Sequence, residues 1–106
     1  TMVIESDVQT IINRLIETLT PISIYLFGSF AKGNYNNDSD YDFYIIMPDD
    51  SGNMIDLSQK AYRSLKGLKR RPVDIVLNSK SVFEQRLKGN TLEGIVNREG
   101  KLIYER

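Results

Sequence analysis

The sequence predicts an α/β fold of the α+β kind, a small mixed β-sheet backed by helices, on three observations. Val8, Ile11, Ile12, Leu15, Ile16 and Leu19 recur at helical spacing. Three short runs, 22–27, 40–47 and 73–78, are rich in β-branched and aromatic residues and bounded by turn formers. Helical patterns separate those runs, and this interleaving is what builds a sheet with helices against it.

Taken in order, the elements read as follows. Ser6 with Gln9 forms a capping-box pattern, so the first helix is expected over about residues 6–19, and Pro21 ends it. Ile22–Phe27 is a short buried strand stopped by Gly28-Ser29, and Phe30-Ala31-Lys32 begins a helical turn that Gly33 terminates. The polar loop 34–39 leads into a second strand, Asp40–Met47, closed by Pro48-Asp49-Asp50-Ser51-Gly52. Met54, Leu57, Ala61, Leu65 and Leu68 mark a second long helix, ending in the basic Lys66–Arg71 stretch. After Pro72 come a third strand, 73–78, short helices at 81–88 and 92–98, and a closing strand at 102–104. The order is α-β-α-β-α-β-α-α-β, with neither repeats nor a low-complexity tract.

A length of 106 residues fits a single small domain, residues 2–106, with Thr1 read as a cloning remnant. At 41% hydrophobic and 26% charged the composition is that of a soluble globular protein, and no apolar run approaches a membrane span, so a cytoplasmic location is expected. Two absences limit the chemistry. Without cysteine there are no disulfides, thiolate nucleophiles or cysteine–zinc sites; without histidine the usual general base and every Ser-His-Asp triad are gone. Carboxylates, lysine, tyrosine or a hard metal must carry any catalysis, and oxygen-rich sites suit magnesium, manganese or calcium. The zero net charge is uneven: residues 1–53 hold eight acids against Arg14 and Lys32, and residues 54–106 hold twelve bases against six acids. Such an asymmetry suits a metal site beside a polyanion site, and equally a pair of solvated faces.

The informative residues are Phe27-Gly28-Ser29-Phe30-Ala31-Lys32-Gly33 and Ser39-Asp40-Tyr41-Asp42-Phe43. Asp40 and Asp42, two apart at a strand start, project from one face. Asp74 stands near the start of the third strand, so if the two strands are parallel neighbours all three acids converge at one end of the sheet. Three bare carboxylates raise one another's pKa and lose hydration, and a divalent cation resolves that cost. Magnesium completes its shell with water and phosphate oxygens, which makes a nucleotide the natural missing ligand. Gly28-Ser29, closing a strand and opening a helical turn, lets backbone N–H groups approach a phosphate; Ser29 adds a hydroxyl and Lys32 a point charge. Each piece also has an ordinary reading: a turn at Gly28-Ser29, an Asx-turn before the second strand, and an Asp74 that merely neighbours Arg70 or Arg71. P-loop, EF-hand and dinucleotide-binding patterns all fail on inspection, since Asn34-Tyr35 follows Gly33 and Phe43 stands where a calcium loop beginning at Asp38 needs glycine.

On these strings the sequence resembles the DNA polymerase β-like nucleotidyltransferases, and Gly-Ser-Phe-Ala-Lys-Gly with Ser-Asp-Tyr-Asp-Phe resembles their minimal (MNT) branch. The closing Arg98–Tyr104 segment is similar to tails common in that branch, so the likeness covers nearly the whole chain. It implies a polymerase β-like palm, with Asp40, Asp42 and Asp74 as catalytic acids and ligands of two Mg2+ ions, Mn2+ being an alternative. It implies a nucleotide, ATP before other NTPs, held by Gly28, Ser29, Lys32 and Ser39. It further implies a HEPN-domain partner protein, neutralised by attachment of AMP in a toxin–antitoxin pair. A chain this short leaves little room for its own acceptor-binding domain, so another chain is expected to complete the substrate site, with the second helix and its basic end as a candidate docking face or, equally, a solvated amphipathic helix. Two alternatives stand beside this: transfer to a small hydroxyl compound such as an aminoglycoside, and an antitoxin that acts by binding alone. Direct nucleic-acid binding is not expected from a chain of zero net charge.

Overall fold

Alternation along the central strand sets the two faces of the sheet. In β2 (Tyr41–Met47) the odd-numbered Tyr41, Phe43, Ile45 and Met47 pack into one apolar layer, and Tyr44 and Ile46 into a second. The computed structural model describes residues 2–68 and 70–106. Thr1, read as a cloning remnant, and Lys69, within the basic stretch, lie outside the described residues.

The sheet has four strands in the order β3-β2-β1-β4, with β1 at Ser23–Phe27, β3 at Val73–Ser79 and β4 at Lys101–Glu105. Strand β1 runs antiparallel to both β2 and β4, whereas β2 and β3 are parallel, so the sheet is mixed as expected. The parallel pair is joined by helix α3 (Met54–Ser64), as a parallel connection requires a crossover. Helix α1 (Met2–Leu19) and α3 cover the larger layer, where Ile11, Leu15, Ile24, Phe43, Ile45, Ala61 and Leu65 are almost wholly buried. The helices α4 (Lys80–Gln85) and α5 (Leu92–Glu99) cover the opposite face, placing Phe83 and Val96 on Tyr44 and Ile46. The remaining helix, α2 (Ser29–Lys32), is one turn long and follows β1 directly.

Local chemistry explains most boundaries. Asn53, Ser79 and Thr91 cap α3, α4 and α5 by accepting hydrogen bonds from backbone N–H groups of the first turn. Tyr62 of α3 protects the outer edge of β3: its hydroxyl accepts from the Ile75 N–H at 2.8 Å and donates to the Ile75 carbonyl at 3.4 Å. Two expectations need correction. Helix α1 begins at Met2, so Ser6 is not an N-cap; its carbonyl accepts from the Thr10 hydroxyl inside the helix. Residues 2–5 contain no glycine or proline, so nothing prevents the helix from extending past the apparent capping box. Helix α3 stops at Ser64 rather than near residue 68, and the chain turns through Gly67, although Leu65 and Leu68 still pack on the core as the spacing suggested.

Candidate active site

The candidate site lies where β1 ends and β2 and β3 begin. The antiparallel register pairs Phe27 with Asp42, and the parallel register pairs Asp42 with Asp74. One row across the sheet therefore reads Phe27, Asp42, Asp74, on the face that carries α4 and α5 further along. This is the neighbouring parallel arrangement the sequence required for the acids to meet. Asp40 immediately precedes β2 and is half-buried; Asp42 is half-buried and Asp74 exposed.

The three acids interact electrostatically. Burial raises the Asp42 pKa from 3.8 to about 6, assisted by the negative charges of Asp74 and Asp40 and by a hydrogen bond with the Asp74 carboxyl. Asp42 is thus a carboxyl that resists ionising beside two other acids. A divalent cation removes that resistance by compensating the negative charge, and an all-oxygen donor set is the kind that magnesium or manganese accepts. Asp42 and Asp74 fit such an ion as a pair, with Asp40 within electrostatic reach. Among the described residues, however, no group of three or more acids is drawn together tightly enough to hold a metal as it stands. Phosphate oxygens and water would have to supply much of the shell, as they commonly do for magnesium.

Gly28 adjoins the pair for a reason the sequence alone did not reveal. Its backbone lies at φ 73° and ψ −151°, a region essentially confined to glycine. A Cβ there would also run into the Asp42 carboxylate oxygen. The missing side chain thus admits both the turn into α2 and the Asp42 carboxylate. Ser29 opens α2, which Gly33 closes in the left-handed conformation.

The other sequence-predicted residues are placed less directly. Lys32 Nζ lies 3.5 Å from the Glu99 carboxylate at the end of α5, both side chains being about half exposed. The Ser39 hydroxyl is engaged within the preceding turn, accepting from the Asn36 N–H at 2.9 Å. Arg70 and Arg71 do not pair with Asp74 in the way the ordinary reading suggested. Arg70 faces Asp7 of α1 at 3.4 Å, and Arg71 donates to the carbonyls of Asn36 and Ser39.

Sequence reasoning missed a polar network one row below Asp42. Glu93 of α5 is only 4% exposed and accepts a 2.7 Å hydrogen bond from the Tyr44 hydroxyl, which accepts from Asn78 Nδ2 at 3.0 Å. Arg86 reaches the same Glu93 carboxylate at 3.8 Å. Burial and the bond to Glu93 push the Tyr44 phenol well above its ordinary pKa. The signal was faint: a single acid at an inward position of a short helix, opposite a tyrosine in a strand.

Comparison with known proteins follows the same lines. The family model described as a nucleotidyltransferase domain matches residues 8–97. A candidate nucleotidyltransferase from Sulfolobus solfataricus has a similar structure, with TM-score 0.63 and 21% identity, covering 100% of this chain and 89% of that one. A chain from a toxin–antitoxin structure with AMP-PNP matches with TM-score 0.52 and 26% identity, covering 92% of this chain and 73% of that one. A search of the curated proteins gives no match. With the family model spanning most of its length and the β1-turn-β2 acids and the parallel third acid in place, the chain belongs to the nucleotidyltransferase domain family, in its DNA polymerase β-like form.

Proposed function

We propose that this nucleotidyltransferase moves a nucleoside monophosphate, AMP in the first instance, from an NTP to a hydroxyl on a partner protein. The partner in this reading is a HEPN-domain toxin, and the chain is its MNT antitoxin. The observation that carries it is the Asp42–Asp74 pair across β2 and β3, set against the bare backbone of Gly28. The match to a toxin–antitoxin structure with AMP-PNP supports both the adenine nucleotide and the protein partner.

In the reaction, the acceptor oxygen bonds to the α-phosphorus as the bond to the bridging oxygen breaks, and pyrophosphate leaves. Asp74, the exposed acid of the pair, takes the hydroxyl proton. Asp40, Asp42 and Asp74 would hold the two Mg2+ ions, which would supply charge compensation for the phosphates. Gly28 and Ser29 offer backbone N–H groups and a hydroxyl to the triphosphate, Lys32 adds a positive charge, and Ser39 borders the nucleotide.

The test is transfer of label from α-labelled ATP, with magnesium, to this protein alone and together with the protein encoded beside it. Label on the partner, lost with a chelator and in Asp40→Asn/Asp42→Asn, is the expected result. No transfer from any NTP, with binding to the partner intact, would sink the enzymatic reading. A binding-only antitoxin is the second reading, in which the chain blocks its partner by contact. Under it, Asp42→Asn leaves toxin neutralisation intact.

A further inference from the structure

Arg71 stands just before β3 and contacts the 34–40 loop, α2 and the start of β2. Its Nη1 donates to the Asn36 carbonyl at 2.8 Å and to the Ser39 carbonyl at 3.2 Å. Its guanidinium lies 5.0 Å from the centre of the Phe30 ring and 6.0 Å from that of Tyr41. Phe30 belongs to α2, immediately after Gly28-Ser29, and stacks on Tyr35 at 4.5 Å and against Tyr41 at 4.7 Å. Tyr41 lies between Asp40 and Asp42, and its N–H donates to the carbonyl of Pro72, the residue after Arg71. Three residues beyond Arg71 comes Asp74.

We infer that Arg71 is a positioning residue: it fixes the 34–40 loop and α2 against the start of β3, so that Gly28-Ser29, Asp40-x-Asp42 and Asp74 keep one geometry. The inference rests on the nucleotidyltransferase reading above. Asn34, Asn36, Asn37 and Asp38 of the loop are all exposed, so apart from Tyr35, which stacks on Phe30, its side chains add little apolar contact to hold it. Backbone carbonyls on one side and aromatic faces on the other suit a planar, delocalised cation. A lysine ammonium keeps the charge but cannot lie flat on the rings while donating in the same fixed directions. Arg71 is therefore expected to act through the loop, without touching nucleotide.

The test compares wild type, Arg71→Lys and Arg71→Ala in two measurements on the full chain. One is hydrogen–deuterium exchange of the amides in 34–40; the other is calorimetric binding of Mg·AMP-PNP. Exchange in 34–40 should rise in both variants and most in Arg71→Ala, with the α1 and β2 amides unchanged. Affinity should fall in step, by roughly tenfold or more, because a site loosened by about 1 Å loses its complementarity. Weaker binding with unchanged loop exchange would overturn the inference, since Arg71 would then act on the nucleotide directly. Faster loop exchange with unchanged affinity would overturn it as well, as would full recovery of both readouts by lysine. Should Arg71→Ala not fold, Arg71→Lys and Arg71→Met carry the same comparison. A wild type that binds no Mg·AMP-PNP would overturn this inference together with the functional reading; failure in the variants alone leaves that reading standing.

Discussion

Asp42 and Asp74 occupy directly paired positions on parallel strands, and the Asp42 carboxyl, with a pKa of about 6, gives up its proton only above the ordinary carboxylate range. In the unfolded chain the same group titrates near 3.8. Between those values the folded state binds more protons than the unfolded one, so this group's contribution to stability falls as pH rises through the window. Metal-free protein should therefore lose thermal stability from about pH 4 to pH 6.5 relative to Asp42→Asn, which lacks the titration. Magnesium should raise the melting temperature at pH 7.5 more than at pH 5, where the proton competes with it. Parallel melting curves for wild type and Asp42→Asn across that range would sink the argument.

Gly28→Ala meets two obstacles, the glycine-only backbone and the Asp42 oxygen, whereas Gly33→Ala meets only a left-handed backbone with open space around it. Strain of the first kind costs about 1–3 kcal/mol before the clash is counted; the second costs about 1–2 kcal/mol. The expected pattern is a larger loss of stability in Gly28→Ala, accompanied by loss of nucleotide transfer. Gly33→Ala should lose stability alone. Denaturant titration with the label-transfer assay separates the two, and equal activity losses would count against a special role for Gly28.

Tyr44→Phe should destabilise by about 1–3 kcal/mol, because the buried Glu93 carboxylate loses its hydrogen-bond donor, keeping only the longer Arg86 contact, and the Asn78 amide loses its acceptor. Tyr44→Phe combined with Glu93→Leu should cost less than the sum of the single changes, since the partner left unpaired is also removed. A double-mutant cycle by urea unfolding measures this coupling. Simple additivity would show that Tyr44 and Glu93 do not act as one unit.

These residues also mark what the sequence reveals and what it conceals. The pairing of Asp42 with Asp74 was legible because it needed only the assumption of parallel neighbouring strands, which holds, whereas Asp40 lies just before β2 rather than in it. Gly28 was legible as a glycine that opens a turn, but its contact with Asp42 depends on the antiparallel register of β1 on β2, which no local pattern specifies. Arg71 and Glu93 were concealed for the same reason: their hydrogen-bond partners lie 32 to 49 residues away in sequence. Ser6 was misread because a capping pattern can occur inside a helix wherever the preceding residues also tolerate helical conformation.

Lys32 and Glu99 make the last test sharp, because their contact is too exposed to matter much for folding. At 3.5 Å, with both side chains about half exposed, the pair should contribute less than about 1 kcal/mol, and salt should screen much of that. Lys32→Ala is therefore expected to fold with a nearly unchanged melting temperature. If Lys32 serves the triphosphate, the same variant should raise the KM for NTP with little change in kcat, the mark of lost ground-state binding. Glu99→Gln should act in the opposite direction, leaving the KM unchanged or lower, because a competing carboxylate no longer faces the ammonium. Steady-state kinetics on the two variants, with melting curves alongside, checks both signs. An unchanged KM in Lys32→Ala would remove Lys32 from the nucleotide site and leave it as a surface partner of α5.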